Sequence, residues 1–118
     1  MPYPENAPRR GEIYWFEWNP SRGSEQRGRR PAVVISPDMR NARMPTLVIA
    51  ALTTNTTRVG SAISVYLPQG RPLDKEGTIL AFQVMTASKE RLLNYAGCLG
   101  SDQLRELDRA LKVAFGLE

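Results

Sequence analysis

Only Ser101 to Phe115 keeps a helical spacing of apolar residues for long enough to predict an ordinary helix. Leu104, Leu107, Leu111, Ala114 and Phe115 fall on one face. Ser101 reads as the N-cap, with Asp102 at the positive end of the helix dipole, and Gly116 reads as the stop. Asp108 and Lys112 are spaced to pair on the outer face. Such a helix must bury its apolar stripe against something else. What precedes it is a series of short strand-like runs: Glu12–Trp18, Pro31–Ile35, Thr46–Thr53, Ala62–Leu67, Thr78–Thr86 and Tyr95–Leu99. The run at 78–86 reads as one strand or two. Helical turns fit only Asp38–Arg43 and Ser88–Leu93, the latter capped by Ser88. The pattern predicts a mainly β, α+β fold: a small antiparallel barrel with helices packed outside, in a single domain. Residues 1–8, with three prolines, read as an extended arm before a domain spanning 9–118.

Composition removes several chemistries. The 118 residues include no histidine and one cysteine, Cys98. Ser-His-Asp triads, Cys-His pairs and histidine acid–base couples are therefore excluded. One Cys without His is too few for a zinc site, and it cannot form a disulfide within the chain. The N-terminus has no apolar stretch of the signal-peptide kind, and the longest apolar run, Leu47–Leu52, is far too short to span a bilayer. A soluble, cytoplasmic protein without cofactor or metal is expected.

The net charge is +4, and most of it lies in the first half. Residues 9–30 carry six arginines against three glutamates. Lys75, Lys89 and Lys112 are the only lysines among 16 cations. Arginine offers a planar fork of donors that matches phosphate oxygens and stacks on bases. On composition alone, a solvated Arg-rich surface and a nucleic-acid-binding surface fit equally well.

The loop at 19–30 sets Glu25 and Gln26 among Arg22, Arg27, Arg29 and Arg30. Pro31 and an apolar strand follow at once, so Arg30 is expected at a loop–strand junction, where a rigid element positions it. Thr53 closes the third strand, just before a mobile-looking loop at 54–61. Plain readings exist for each: threonine is a good strand former, and a glutamate among arginines usually makes a weak surface ion pair. Trp15, Phe16 and Trp18 are able to stack on bases, but at least two of the three are expected in a core or interface.

A larger pattern changes the weighting. Gly11-Glu12-Ile13-Tyr14 and Gly23-Ser24-Glu25-Gln26-Arg27-Gly28-Arg29-Arg30-Pro31-Ala32-Val33-Val34-Ile35 resemble the opening of the MazF/PemK family of toxin endoribonucleases. Asn41 fits that family's asparagine after the second strand. Pro45–Thr53 resembles its third strand, and Leu73–Leu80 its "GLDKDSVVL" segment. Gln83 and Thr86 match two positions of "EQIRT", whose glutamate and arginine are Phe82 and Met85 here. Lys89–Leu92 is similar to the short "DKxRL" helix, and the resemblance runs over roughly residues 9–118.

The resemblance implies an SH3-like barrel, a homodimer and metal-free cleavage of single-stranded RNA at short preferred sequences. The family's catalytic arginine and threonine match Arg30 and Thr53, and its motif glutamate matches Glu25. Ser24, Gln26, Arg27, Arg29, Asn55, Thr56, Arg58 and Gln83 are the expected RNA contacts. Phe82 and Met85 imply a more apolar RNA groove. The implied partner is an acidic, MazE-like antitoxin whose disordered segment blocks the groove. Two alternatives remain at this point. One is a CcdB-like toxin that poisons DNA gyrase. The other is a barrel that binds nucleic acid without cutting it.

Overall fold

A computed structural model describes residues 7–18, 28–54 and 61–117. Its elements are β1 (Glu12–Trp18), β2 (Gly28–Val34), α1 (Asp38–Arg43), β3 (Thr46–Thr53), β4 (Ser64–Leu67), β5 (Gly77–Ser88), a 3₁₀ turn (Lys89–Arg91), β6 (Leu92–Cys98) and α2 (Ser101–Ala114). The strands form one antiparallel sheet in the order β4-β5-β3-β2-β1-β6. No ladder joins β4 to β6 among the described residues, so the expected barrel is an open one.

β1 and β3 keep their expected bounds because β-branched and aromatic residues fill them. β2 starts three residues earlier than its apolar run. Pairing with β1 (Trp18 with Gly28, Glu17 with Arg29, Phe16 with Arg30) draws the polar Gly-Arg-Arg into the ladder. Arg30 therefore lies inside a strand and not at its junction. The segment around 78–86 is one strand of 12 residues. Between Leu80, which pairs with Ala51, and Val84, which pairs with Ala50, three extra residues form a bulge. The helix expected at 88–93 shrinks to the 3₁₀ turn, with Ser88 Oγ accepting from the Glu90 amide at 3.3 Å.

Alternation along the strands splits the apolar residues into two cores, one on each face of the sheet. Ile13, Val33, Ala50, Leu52, Val65, Leu67, Ile79 and Ala81 pack with Leu107 and Ala110 of α2. Phe16, Trp18, Ala32, Val34, Leu47, Ile49, Ala51, Leu80 and Ala87 form the second core on the opposite face. Phe16 and Trp18 are buried and meet edge to face at 5.0 Å, while Trp15 on the other side of β1 is exposed.

α2 departs from its sequence reading in three details. Its N-cap is Gly100, not Ser101, because the Gln103 side chain turns back to accept from the Gly100 amide at 2.9 Å. Asp108 pairs with Arg10 at 2.7 Å instead of with Lys112. Phe115 points to solvent at 51% exposure, beyond the last turn held by the sheet. Among the described residues no helix is long and apolar enough to cross a membrane.

Gly11 locks this arrangement. Its amide donates to the Val34 carbonyl at 2.8 Å and its carbonyl accepts from Leu99 at 2.9 Å. Its φ is +94°, and a Cβ added there would lie 3.0 Å from the Leu104 side chain. Gly11→Ala is expected to cost about 1–3 kcal/mol, read from urea denaturation. Unchanged stability would show that the turn relaxes freely.

Candidate functional site

The register of the central strands builds the site. β2 and β3 pair Ala32 with Ala51 and Val34 with Ile49. The ladder ends at Ala32 and Ala51; the same register continued two residues brings Arg30 and Thr53 to the open end of the two strands, on one face. Arg30 shares the face of Ala32, and Thr53 that of Ala51, both members of the second core. Phe16 is the β1 partner of Arg30, Thr78 the β5 partner of Thr53, and Tyr66 the β4 partner of Thr78. A row of Phe16, Arg30, Thr53, Thr78 and Tyr66 thus crosses five strands. The ladder partners among them, Phe16 with Arg30, Thr53 with Thr78 and Thr78 with Tyr66, stand about 4.5–5.5 Å apart at Cβ.

Within that row the Arg30 side chain is exposed, its Nη1 donating to the Arg29 carbonyl at 3.2 Å. Thr53 is half-buried at the end of β3. An exposed guanidinium beside a hydroxyl can cradle an anionic oxygen from two directions. Both groups are hydrogen-bond donors, and guanidinium has no acceptor, so this pair is built to bind and orient an anion.

The other expected site residues fall in three places. Arg29 sits on the opposite face, in an exposed 3.8 Å ion pair with Glu17, its partner in the ladder. Gln83 lies half-buried in the β5 bulge, outside the row. Ser24, Glu25, Gln26, Arg27, Asn55, Thr56 and Arg58 lie outside the described residues, as do residues 1–6 of the expected arm. Phe82 and Met85 pack, half-buried, against the second core.

Two features were missed in the sequence. Arg91 stacks its guanidinium over the Phe16 ring at 4.5 Å and donates to the Glu17 carbonyl at 2.9 Å. Since Phe16 opposes Arg30, a second cation stands on the same face. Its only sequence signal was its place in the "DKxRL" match. Beyond Thr53, an open pocket is lined by Thr54, Gln69, Lys75 and Glu76. No spacing rule brings Gln69 and Lys75 to Thr54.

Burial, with a hydrogen bond to Glu12, pushes the Tyr14 hydroxyl well above the usual tyrosine range, so it stays protonated. Partial burial, aided by the Glu12 carboxylate, raises the Cys98 thiol and disfavours the reactive thiolate. Among the described residues no three acidic or cysteine side chains gather as a metal-binding group.

Asn41, one of the motif positions, proves to be a structural residue. It is fully buried, its Oδ1 accepts from Ser36 Oγ at 2.5 Å, and its Nδ2 donates to the Ser36 carbonyl at 3.0 Å.

The comparisons agree with one another. The solved structure of MazF (Form-I) from Deinococcus radiodurans is similar with a TM-score of 0.80 and 26% identity, over 96% of this chain and 100% of that one. An endoribonuclease in complex with its cognate antitoxin from a Mycobacterial species gives a TM-score of 0.80 at 28% identity, over 95% and 98% of the two chains. The Endoribonuclease MazF of Staphylococcus epidermidis is 36% identical over 110 residues, 92% of each chain. The family model for the PemK-like, MazF-like toxin of type II toxin–antitoxin systems matches residues 9–115. With the family model covering residues 9–115, this chain belongs to the PemK-like, MazF-like toxin family.

Proposed function

We propose that this chain is an endoribonuclease toxin that cuts single-stranded RNA at short preferred sequences without a metal ion. The ribose 2′-oxygen attacks the adjacent phosphorus. The bond to the 5′-oxygen breaks, leaving a 2′,3′-cyclic phosphate and a 5′-hydroxyl. Three tasks must be met: the attacking hydroxyl loses a proton, the phosphorane gathers negative charge, and the leaving oxygen gains a proton. In this reading Arg30 binds the phosphate and stabilises the developing charge with its forked donors. It is no general base, because a guanidinium offers donors and no acceptor. Thr53 donates to a phosphate oxygen and orients it. Glu25 is the motif residue that accepts a proton readily, and it takes the base role. With no histidine in the chain, an acid limb in the pH–rate profile belongs to a carboxylate.

The observation that carries this reading is the shared face of Arg30 and Thr53, two positions at which the family motif has its catalytic pair. Ser24, Gln26, Arg27, Asn55, Thr56, Arg58 and Gln83 are read as RNA contacts, whereas Arg29, on the opposite face and paired with Glu17, is set apart from them. Residues 9–118 act as the toxin domain and 1–8 as its arm. The working form is a cytoplasmic homodimer, held inactive by an acidic antitoxin. The similarity to an endoribonuclease solved with its cognate antitoxin supports that partner.

The test is incubation of a long defined RNA with the purified chain in excess chelator, with mapping of the cut ends. Discrete cuts at a recurring short sequence are expected. RNA that is bound in a salt-dependent way but stays intact points instead to a non-catalytic barrel. Trapped gyrase–DNA complexes point to a gyrase poison.

A further inference from the structure

Two buried side-chain polar atoms among the described residues lack a hydrogen-bond partner: Trp18 Nε1 and Thr78 Oγ1. Both lie on the face of the sheet that carries Arg30 and Thr53. Trp18 belongs to the second core beside Phe16, and Thr78 alternates with Ile79 of the first core. Folding alone gives no reason for the Thr78 hydroxyl. Thr78 is 0% exposed in the middle of a sheet, where valine has the same shape, suits a strand equally well and buries no unpaired oxygen. A group that costs stability without a structural return is a candidate for function.

Its place in the sheet says which function. Thr78 and Thr53 are direct partners in the β3–β5 ladder. Opposed threonines on one face are close enough for their hydroxyls to bond. Three extra residues bulge from β5 between Leu80 and Val84, three residues beyond Thr78. The stretch Gly77–Ala81 is otherwise fully buried, so the backbone under Thr53 is rigid. Thr78 is too buried to touch RNA itself.

We propose that Thr78 is a positioning residue for RNA cleavage. Its hydroxyl bonds to that of Thr53 when Thr53 turns to the scissile phosphate, and so fixes the rotamer from which Thr53 donates. The proposal rests on the reading of Thr53 given above. It assigns Thr78 no contact with substrate, so the effect belongs on turnover and not on binding.

The experiment compares Thr78→Val, Thr78→Ser, Thr53→Val and the Thr53→Val/Thr78→Val double variant in the full chain. An RNA with one cleavage site supplies kcat and KM, and thermal melting is followed alongside. Thr78→Val is expected to lower kcat on the order of tenfold, with KM within about twofold and melting unchanged or raised. Thr78→Ser, which keeps the hydroxyl, restores kcat to within about twofold. The double variant cuts no more slowly than Thr53→Val alone, because the Thr78 hydroxyl acts only through Thr53. Wild-type kcat in Thr78→Val beside a slow Thr53→Val overturns the proposal and leaves the Thr53 reading standing. Wild-type kcat in Thr53→Val removes both. A loss confined to KM, or a loss that serine fails to restore while melting falls, makes Thr78 a packing residue and overturns the proposal as well.

Discussion

Arg30→Ala is expected to abolish nearly all RNA cleavage while leaving the fold intact. The guanidinium is the charged donor in the row that faces the proposed phosphate site. Removing one such donor from a developing oxyanion costs about 10²–10³ in kcat, and an arginine on a phosphoryl transition state up to about 10⁵. A loss on the order of 10³-fold is therefore expected here. The fold has little at stake, because the side chain is exposed and its hydrogen bond runs to the neighbouring Arg29 carbonyl. Stability should change by less than about 0.5 kcal/mol. Arg30→Lys keeps the charge but loses the fork, and is expected to recover only part of the rate. Full activity in a well-folded Arg30→Ala protein would remove Arg30 from the mechanism.

Asn41→Ala is expected to behave in the opposite way, costing stability before activity. Ser36 Oγ donates to Asn41 and at the same time accepts from the Val48 amide at 2.9 Å, and the Ser36 carbonyl accepts from Asn41 Nδ2. The asparagine thereby ties α1 to the exit of β2 and the entry of β3, the two strands that carry Arg30 and Thr53. Its own carbonyl accepts from Lys89 Nζ at 2.7 Å, which links the 3₁₀ turn to the same knot. Truncation leaves the Ser36 hydroxyl proton without its acceptor and the Ser36 carbonyl without its donor in a buried site, beside a small void. The expected cost is about 2–4 kcal/mol in chemical denaturation. Asn41→Asp keeps the acceptor but turns a second oxygen towards the Ser36 carbonyl, so it should cost at least as much. Cleavage by the folded fraction should remain near that of the unaltered protein. A variant with normal stability and lost turnover would move Asn41 from the scaffold into the site.

The sequence was legible where a single strand or helix decides its own fate. The aromatic run 12–18 and the β-branched run 46–53 are bounded as their residues dictate. Arg30 and Thr53 were found by motif, and their shared face was not. It depends on the register of β2 and β3, set by Ala32, Val33 and Val34 pairing with Ala51, Ala50 and Ile49. Small and apolar residues of that kind fit several registers until both faces are packed. The early start of β2 was hidden for a similar reason. Gly28, Arg29 and Arg30 have no strand preference of their own, and β1 imposes it. At α2 the serine read as the cap gives way to Gly100, because the Gln103 side chain turns back to the Gly100 amide. Arg91 needed the fold to bring it over Phe16 from 75 residues away in sequence. Phe82 and Met85, read from the motif as making the groove more apolar, pack half-buried against the second core.

The most direct test of the account uses one atom of the substrate. An RNA containing a mapped cleavage site is prepared with a single 2′-deoxynucleotide immediately 5′ of the scissile phosphate. A second, unmodified site in the same molecule serves as the control. Attack by the ribose 2′-oxygen predicts no cutting at the modified site, undiminished cutting at the control, and a 2′,3′-cyclic phosphate with a 5′-hydroxyl at the control ends. Equal cutting at both sites would contradict it, because the nucleophile would then be something other than the ribose that Arg30 and Thr53 are proposed to hold in line.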